Sequence, residues 1–342
     1  MECINRDKTA MSTKELNIYW LDDESDRFDQ FKNLFEDTAA DFSLVVKVHP
    51  ILVEPNLFNI IEQWEASPPT PAPDLFMLDH FLQVSLPHRT TGNTLAHLLR
   101  RSFANIPLVS VTAMFTQGRD HAGQDINEYT AIFDYNNLSE NLEDMFSIAR
   151  DYGQLAAVTW KDLIGKLHIP ESEEGVLQLA IPQELFIEHT PTKHNQLARW
   201  IRSELLAKPG YLYDELYAAT FLGLTVTGFN KVKEKFDKAL YQGPFATNRR
   251  PLWWQTKLKD LLYDTLGEDS PAYTQAGGRL LAKFEDDDLC KCYVSKTSDA
   301  VDFVVAQAYP NKSWHVVREQ YAIPNPDRYS PLPGFDQLLI IG

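Results

Sequence analysis

Asp74-Leu75-Phe76-Met77-Leu78-Asp79 is the stretch whose reading decides the fold. Its apolar run is unbroken, too short for a typical helix, and closed by a carboxylate. That pattern predicts a strand buried on both faces of a parallel sheet. An earlier run, Leu16-Asn17-Ile18-Tyr19-Trp20-Leu21-Asp22-Asp23, ends the same way. Two such strands place one acidic pocket at the carboxyl edge of the sheet, where open α/β sheets bind ligands. Carboxylates converging there repel one another, by ~4 kcal/mol per pair at roughly 4 Å and an effective dielectric of about 20. A hard cation with oxygen ligands relieves that repulsion, and Mg²⁺ with carboxylates and a phosphate is the common solution.

Working outward, strand-like and helix-like stretches alternate. Arg27 to Phe35 carries Phe28, Phe31, Leu34 and Phe35 at helical spacing. Residues 43–48 read as a strand and 57–64 as a helix. The proline-rich run 67–73 is a loop, because proline removes backbone donors and fixes φ. A helix from Gly92 to Phe103, a strand over 106–111 ending at Thr112, a weaker strand over 130–134 and a helix over 139–151 follow. The alternation predicts an α/β fold over residues 15–150, a doubly wound, parallel five-stranded sheet. Residues 151–190 read as a connector, helical over 158–167 and a loop over 169–175. Residues 191–342 read as a mostly helical α+β domain, with strands near 300–307, 313–318 and 337–341.

The first part resembles the receiver domain of two-component response regulators, a flavodoxin-like fold. Leu21-Asp22-Asp23-Glu24 is similar to the receiver's acid pair, Asp79 to its phosphoacceptor, Gly92 to a loop glycine, and Val111-Thr112-Ala113 to its small hydroxyl-bearing position. The resemblance implies Mg²⁺ held by Asp22, Asp23 and Asp79, with Thr112 donating to a phosphoryl oxygen. It also implies a histidine kinase or other signalling protein as partner, and a homodimer as one output. Carboxylate attack on a phosphoryl group, with a cation offsetting the charge, suits these residue types. One departure stands out. Receivers carry a lysine after the fifth strand, and this chain reads Phe133-Asp134-Tyr135-Asn136-Asn137 there, with no lysine between Lys47 and Lys161. Arg119 is the nearest candidate to supply the missing charge.

Residues 214–235 suggest a helix-turn-helix. Ala219 permits close crossing, Gly223 a left-handed turn, and Phe229 and Val232 pack back. A second helix starting near Val226 would expose Thr227, Asn230, Lys231 and Lys233 as candidate DNA contacts. Residues 193–262 hold 12 basic and 6 acidic groups within a chain of net charge −16. Arg249 and Arg250, followed by Trp253-Trp254, could extend such a surface, although paired tryptophans are more often core than base-stacking platforms. Residues 190–342 are nearly neutral, with 19 Lys+Arg against 18 Asp+Glu, so the acid excess lies before them. A charge difference of this kind marks modules with different partners.

With 342 residues the chain has room for two or three domains. Cys3, Cys290 and Cys292 are too few for a disulfide framework and read as reduced thiols. No run approaches a membrane span and the polar first 13 residues give no signal peptide, so a cytoplasmic protein is expected. Glu285-Asp286-Asp287-Asp288 reads as a solvated acidic turn and His315 as a packed side chain. No nucleophile elbow, phosphate-binding glycine loop or HExxH occurs, and no enzymatic activity is expected. The leading expectation is a response-regulator-like protein in which phosphoryl acceptance on Asp79 modulates a C-terminal effector. The alternatives are a pseudo-receiver adaptor or dimerisation module without phosphorylation, and a DNA-binding transcription regulator.

Overall fold

The computed structural model describes residues 15–53, 57–79, 82, 92–112, 128–186, 190–266, 278, 281–285 and 288, with backbone strands at 303–307, 314–318, 322–324 and 338–340. Arg119, the three cysteines and the side chain of His315 lie outside the described residues. The chain divides into two compact units. The first runs to Val158 and adds Glu184–Arg199; the second takes Thr159–Gln183 and the chain from Trp200.

The first unit alternates strand and helix: β1 (Glu15–Asp22), α1 (Ser25–Asp41), β2 (Val45–Leu52), α2 (Leu57–Ala66), β3 (Leu75–Asp79), α3 (Gly92–Ser102), β4 (Leu108–Thr112), β5 (Ala131–Asp134) and α4 (Leu138–Asp151). The sheet order is β2-β1-β3-β4-β5 and every pairing is parallel. That order is the flavodoxin-like one, with its switch point between β1 and β3. The fold is therefore the doubly wound α/β sheet that the sequence predicts.

Burial explains the apolar runs. β3 and β4 are buried along their whole length, and β1 at all but its first residue. The edge strand β2 instead begins by alternating exposed and buried residues. Helices α1 and α4 pack together, as do α2 and α3. The α1 side is aromatic: Trp20 meets Phe28 edge-on at 5.3 Å, and Phe35 meets Phe146 at 6.0 Å. A second buried cluster gathers Tyr19, Leu21, Ile61, Phe76, Leu78, Leu95 and Leu99.

Helix α5 (Trp160–Leu167) does not continue α4. Thr159 caps it in a reciprocal box with Asp162, each side chain accepting from the other's backbone N–H. The loop expected over 169–175 instead opens helix α6 (Glu171–Ala180), whose first turn holds Glu171, Glu173 and Glu174. Carboxylates there favour the positive end of the helix dipole. Helix α7 (Pro191–Trp200) brings Asn195 into the first unit, where its side-chain oxygen accepts from Thr130 Oγ1 at 2.7 Å and Arg100 Nη2 at 3.2 Å.

The second unit adds β6 (Leu212–Tyr213), α8 (Glu215–Phe221), α9 (Val226–Asn230), β7 (Trp253–Trp254) and α10 (Gln255–Leu266). Its core joins Ala218, Ala219, Leu222, Phe229, Val232, Phe236 and Trp253. Gly223 takes φ 75 between α8 and α9, a left-handed conformation that glycine adopts without strain. Antiparallel pairs join β8 (Phe303–Gln307) to β9 (Trp314–Arg318) and β10 (Ala322–Pro324) to β11 (Leu338–Ile340); β8, β9 and β11 fall on the expected strands, and β10 is an addition to them.

Candidate functional site

Strand register brings the first carboxylates together. Trp20 pairs with Met77 across β1 and β3. Side chains alternate along a strand, so Asp22 and Asp79, each two residues later, share one face. Neighbouring strands are about 4.8 Å apart, which leaves the two carboxylates side by side. Ligand-capable oxygens of Asp22, Asp23 and Asp79 all lie within 4.8 Å of one another. Asp22 is 1% exposed and Asp79 7%.

Thr112 ends β4 and is buried. Asp79 pairs with Val111, so Thr112 stands one register step beyond it. Alternation gives the face of Asp79 to Val111. Thr112 thus belongs to this edge by its height at the rim and not by its face.

Arg27, in the first turn of α1, fills the space between the carboxylates. Its Nη1 donates to both oxygens of Asp22 at 3.3 Å and to Oδ2 of Asp79, and its Nε lies 3.0 Å from Oε2 of Glu24. The guanidinium also sits 5.2 Å from the ring centroid of Tyr135, which follows β5. Sequence reasoning passed over this residue. A signal was present, because a cation in the first turn of a helix opposes the helix dipole and needs nearby acid to hold it.

The electrostatics follow from burial and crowding. Burial pushes the Asp22 carboxyl up to about 6; Asp79 adds to the rise, while the Glu24 backbone N–H and Arg27 oppose it. At Arg27 burial works against the charged form, but Asp22 and Asp79 outweigh it and the net shift is upward. The ion pair therefore governs Arg27, while desolvation governs Asp22. Burial pushes the Tyr135 hydroxyl up to about 12, against the pull of Arg27. Its Oη is buried with no hydrogen-bond partner among the described residues.

In the second unit the expected DNA-contact residues have other company. Thr227, Asn230 and Lys231 are exposed and Lys233 is half-buried. Lys231 Nζ donates to Asp288 Oδ2 at 2.5 Å, and Lys233 Nζ lies 2.9 Å from Glu215 and 5.2 Å from the Trp253 ring centroid. The Lys231 hydrogen bond holds the Asp288 carboxyl below its ordinary range. Asp288 is buried and also accepts from the Glu285 N–H, so it is no solvated turn residue. Its carbonyl accepts from Thr225 N–H at 2.8 Å, and a Cβ on Gly228 would lie 2.2 Å from that oxygen. Helix α9 spans five residues and is followed by a 3₁₀ segment, Lys233–Ala239.

No protein-family model and no curated protein matches the sequence. Among solved structures, the chain is similar to the signal receiver domain of an HD domain-containing protein from Pseudomonas fluorescens Pf-5, at 14% identity over 42% of this chain and 91% of that one, with a TM-score of 0.29. It is also similar to a response regulator receiver protein from Sinorhizobium medicae WSM419, at 17% identity over 41% and 94%, with a TM-score of 0.26. A third is RcsB from Salmonella enterica serovar Typhimurium bound to promoter rprA in the presence of phosphomimetic BeF3-, at 11% identity over 54% and 99%, with a TM-score of 0.29. The fold assignment rests on the strand order and parallel register rather than on these likenesses. Among the described residues no helix is long and apolar enough to cross a membrane.

Proposed function

We propose that the first unit is the receiver-like switch of a signalling protein, with Asp79 as phosphoryl acceptor. The observation that carries this reading is the convergence of Asp22, Asp23 and Asp79 from two adjacent strand ends to within 4.8 Å. Three carboxylates suit a hard divalent cation such as Mg²⁺, which when bound offsets charge on a transferring phosphoryl group. The chain's residues do the rest by position. An Asp79 oxygen attacks the phosphorus of a phosphohistidine on a partner kinase. The new O–P bond forms as the P–N bond breaks, and the released imidazole nitrogen takes up a proton. Asp22 and Asp23 keep the facing side of the pocket anionic and able to bind the cation. Thr112, one residue beyond the level of Asp79 at the same sheet edge, is the candidate hydroxyl donor to a phosphoryl oxygen. Aspartyl phosphate then changes self-association or the activity of the second unit.

Incubation with acetyl phosphate and Mg²⁺, followed by intact-mass measurement, tests the reading. Wild type is expected to gain the mass of one phosphoryl group, Asp79→Ala none, and Thr112→Ala a reduced fraction. No adduct in wild type, or an adduct that survives Asp79→Ala, overturns it.

Tyr135, standing where a receiver has lysine, favours a second reading: a pseudo-receiver adaptor or dimerisation module that works without phosphorylation. That reading requires no Mg²⁺-dependent change in thermal stability or oligomeric state. DNA contact is favoured by the exposure of Thr227 and Asn230 on α9 and by the basic surplus over 193–262, and it requires duplex binding that weakens steeply with salt.

A further inference from the structure

Arg27 engages two of the three carboxylates that would hold a divalent ion. Its Nη1 is hydrogen-bonded to both oxygens of Asp22 and to Asp79. Asp22 and Asp79 would supply oxygens to such an ion. The oxygens that Arg27 Nη1 engages are among those the ion would need.

The guanidinium is also held from outside the acid cluster. It lies against the ring of Tyr135, which is itself set edge-on to Phe31 at 5.0 Å. A guanidinium over an aromatic face is attracted by the ring quadrupole. Tyr135 occupies the place after β5 where the resemblance calls for lysine. The two departures therefore fit each other: a cation is missing from the end of β5, and one arrives from α1, resting on the aromatic residue that replaced it.

We propose that Arg27 is a resident counter-cation that a divalent ion must displace to enter the site, and that Tyr135 is the perch that holds it there. This inference rests on the reading of Asp22, Asp23 and Asp79 as a cation site. It makes the resting pocket self-neutralised in part, and weak for metal. It also couples metal entry to release of the first turn of α1, because Arg27 must leave Asp22, Glu24, Asp79 and Tyr135 together.

Mg²⁺ titration of the full chain tests it, read by calorimetry and by tryptophan fluorescence, since Trp20 lies two residues before Asp22 on β1. Arg27→Met is expected to bind Mg²⁺ tighter than wild type by roughly tenfold or more. Tyr135→Leu keeps the guanidinium but removes its perch, and is expected to shift affinity the same way by a smaller factor. Adding Asp79→Asn to Arg27→Met is expected to abolish the gain. Equal or weaker binding by both single variants overturns the inference and leaves the cation site standing. Binding by none of the proteins overturns the site and the inference with it. Should Arg27→Met fail to fold, Tyr135→Leu alone decides between competition and its absence.

Discussion

Among the described residues, two places gather charge in opposite ways. At the edge of the sheet, Asp22, Glu24 and Asp79 share the guanidinium of Arg27, and Asp23 lies beside Asp22 and Asp79. Beside the α8–α9 turn each lysine meets its own carboxylate, Lys231 with Asp288 and Lys233 with Glu215. A buried surplus of like charge lasts through folding only where something offsets it. One-to-one pairs are complete in themselves. The first arrangement argues for a ligand, the second for architecture.

Removing a charge should then have opposite signs in the two regions. The larger effect is expected at Asp22. Its carboxyl is raised to about 6 from an ordinary 3.8, so between those values the folded state holds a proton that the unfolded state has lost. Stability therefore falls as pH rises through this window and stays low above it. The shift converts to roughly 3 kcal/mol, and about 2 is expected once screening at the rim is counted. Asp22→Asn, measured by urea unfolding in EDTA, is expected to be more stable than wild type by that amount at pH 8, with the gain gone below about pH 4. Mg²⁺ should erase the gain, because the variant loses a metal oxygen. A destabilised Asp22→Asn at pH 8 would break the comparison.

The smaller effect is expected at Lys233, whose pair with Glu215 is about one-third exposed on each side. Lys233→Met should lower stability by less than about 1 kcal/mol, with no dependence on Mg²⁺. A loss well above that, or one that responds to Mg²⁺, would show that the second region carries more than architecture.

Much of the first unit was legible in the sequence because its signals are local. Apolar runs ending at Asp22, Asp79 and Thr112 mark strands buried on both faces, and helical spacing in Phe28, Phe31 and Phe35 marks α1. Strand ends also gave the acid cluster, since alternation and parallel register leave little freedom in where Asp22 and Asp79 go. Helix α6 was less legible. Pro170 before it and Gly175 within it read as loop, while Glu171, Glu173 and Glu174 favoured a helix start. Arg27 was hidden for a different reason. Its role needs Asp79, distant in sequence, and Tyr135, more distant still, to arrive at one place. Asp288 was misread as solvated because two of its partners, Lys231 and the Thr225 backbone, are equally remote.

A crystal structure grown with Mg²⁺ and beryllofluoride tests the central claim most directly. The account predicts an ion about 2.1 Å from oxygens of Asp79 and of Asp22 or Asp23, beryllofluoride on Asp79, and Arg27 withdrawn from between the carboxylates. Arg27 still bridging Asp22 and Asp79, with neither ion nor beryllofluoride at the sheet edge, would contradict it.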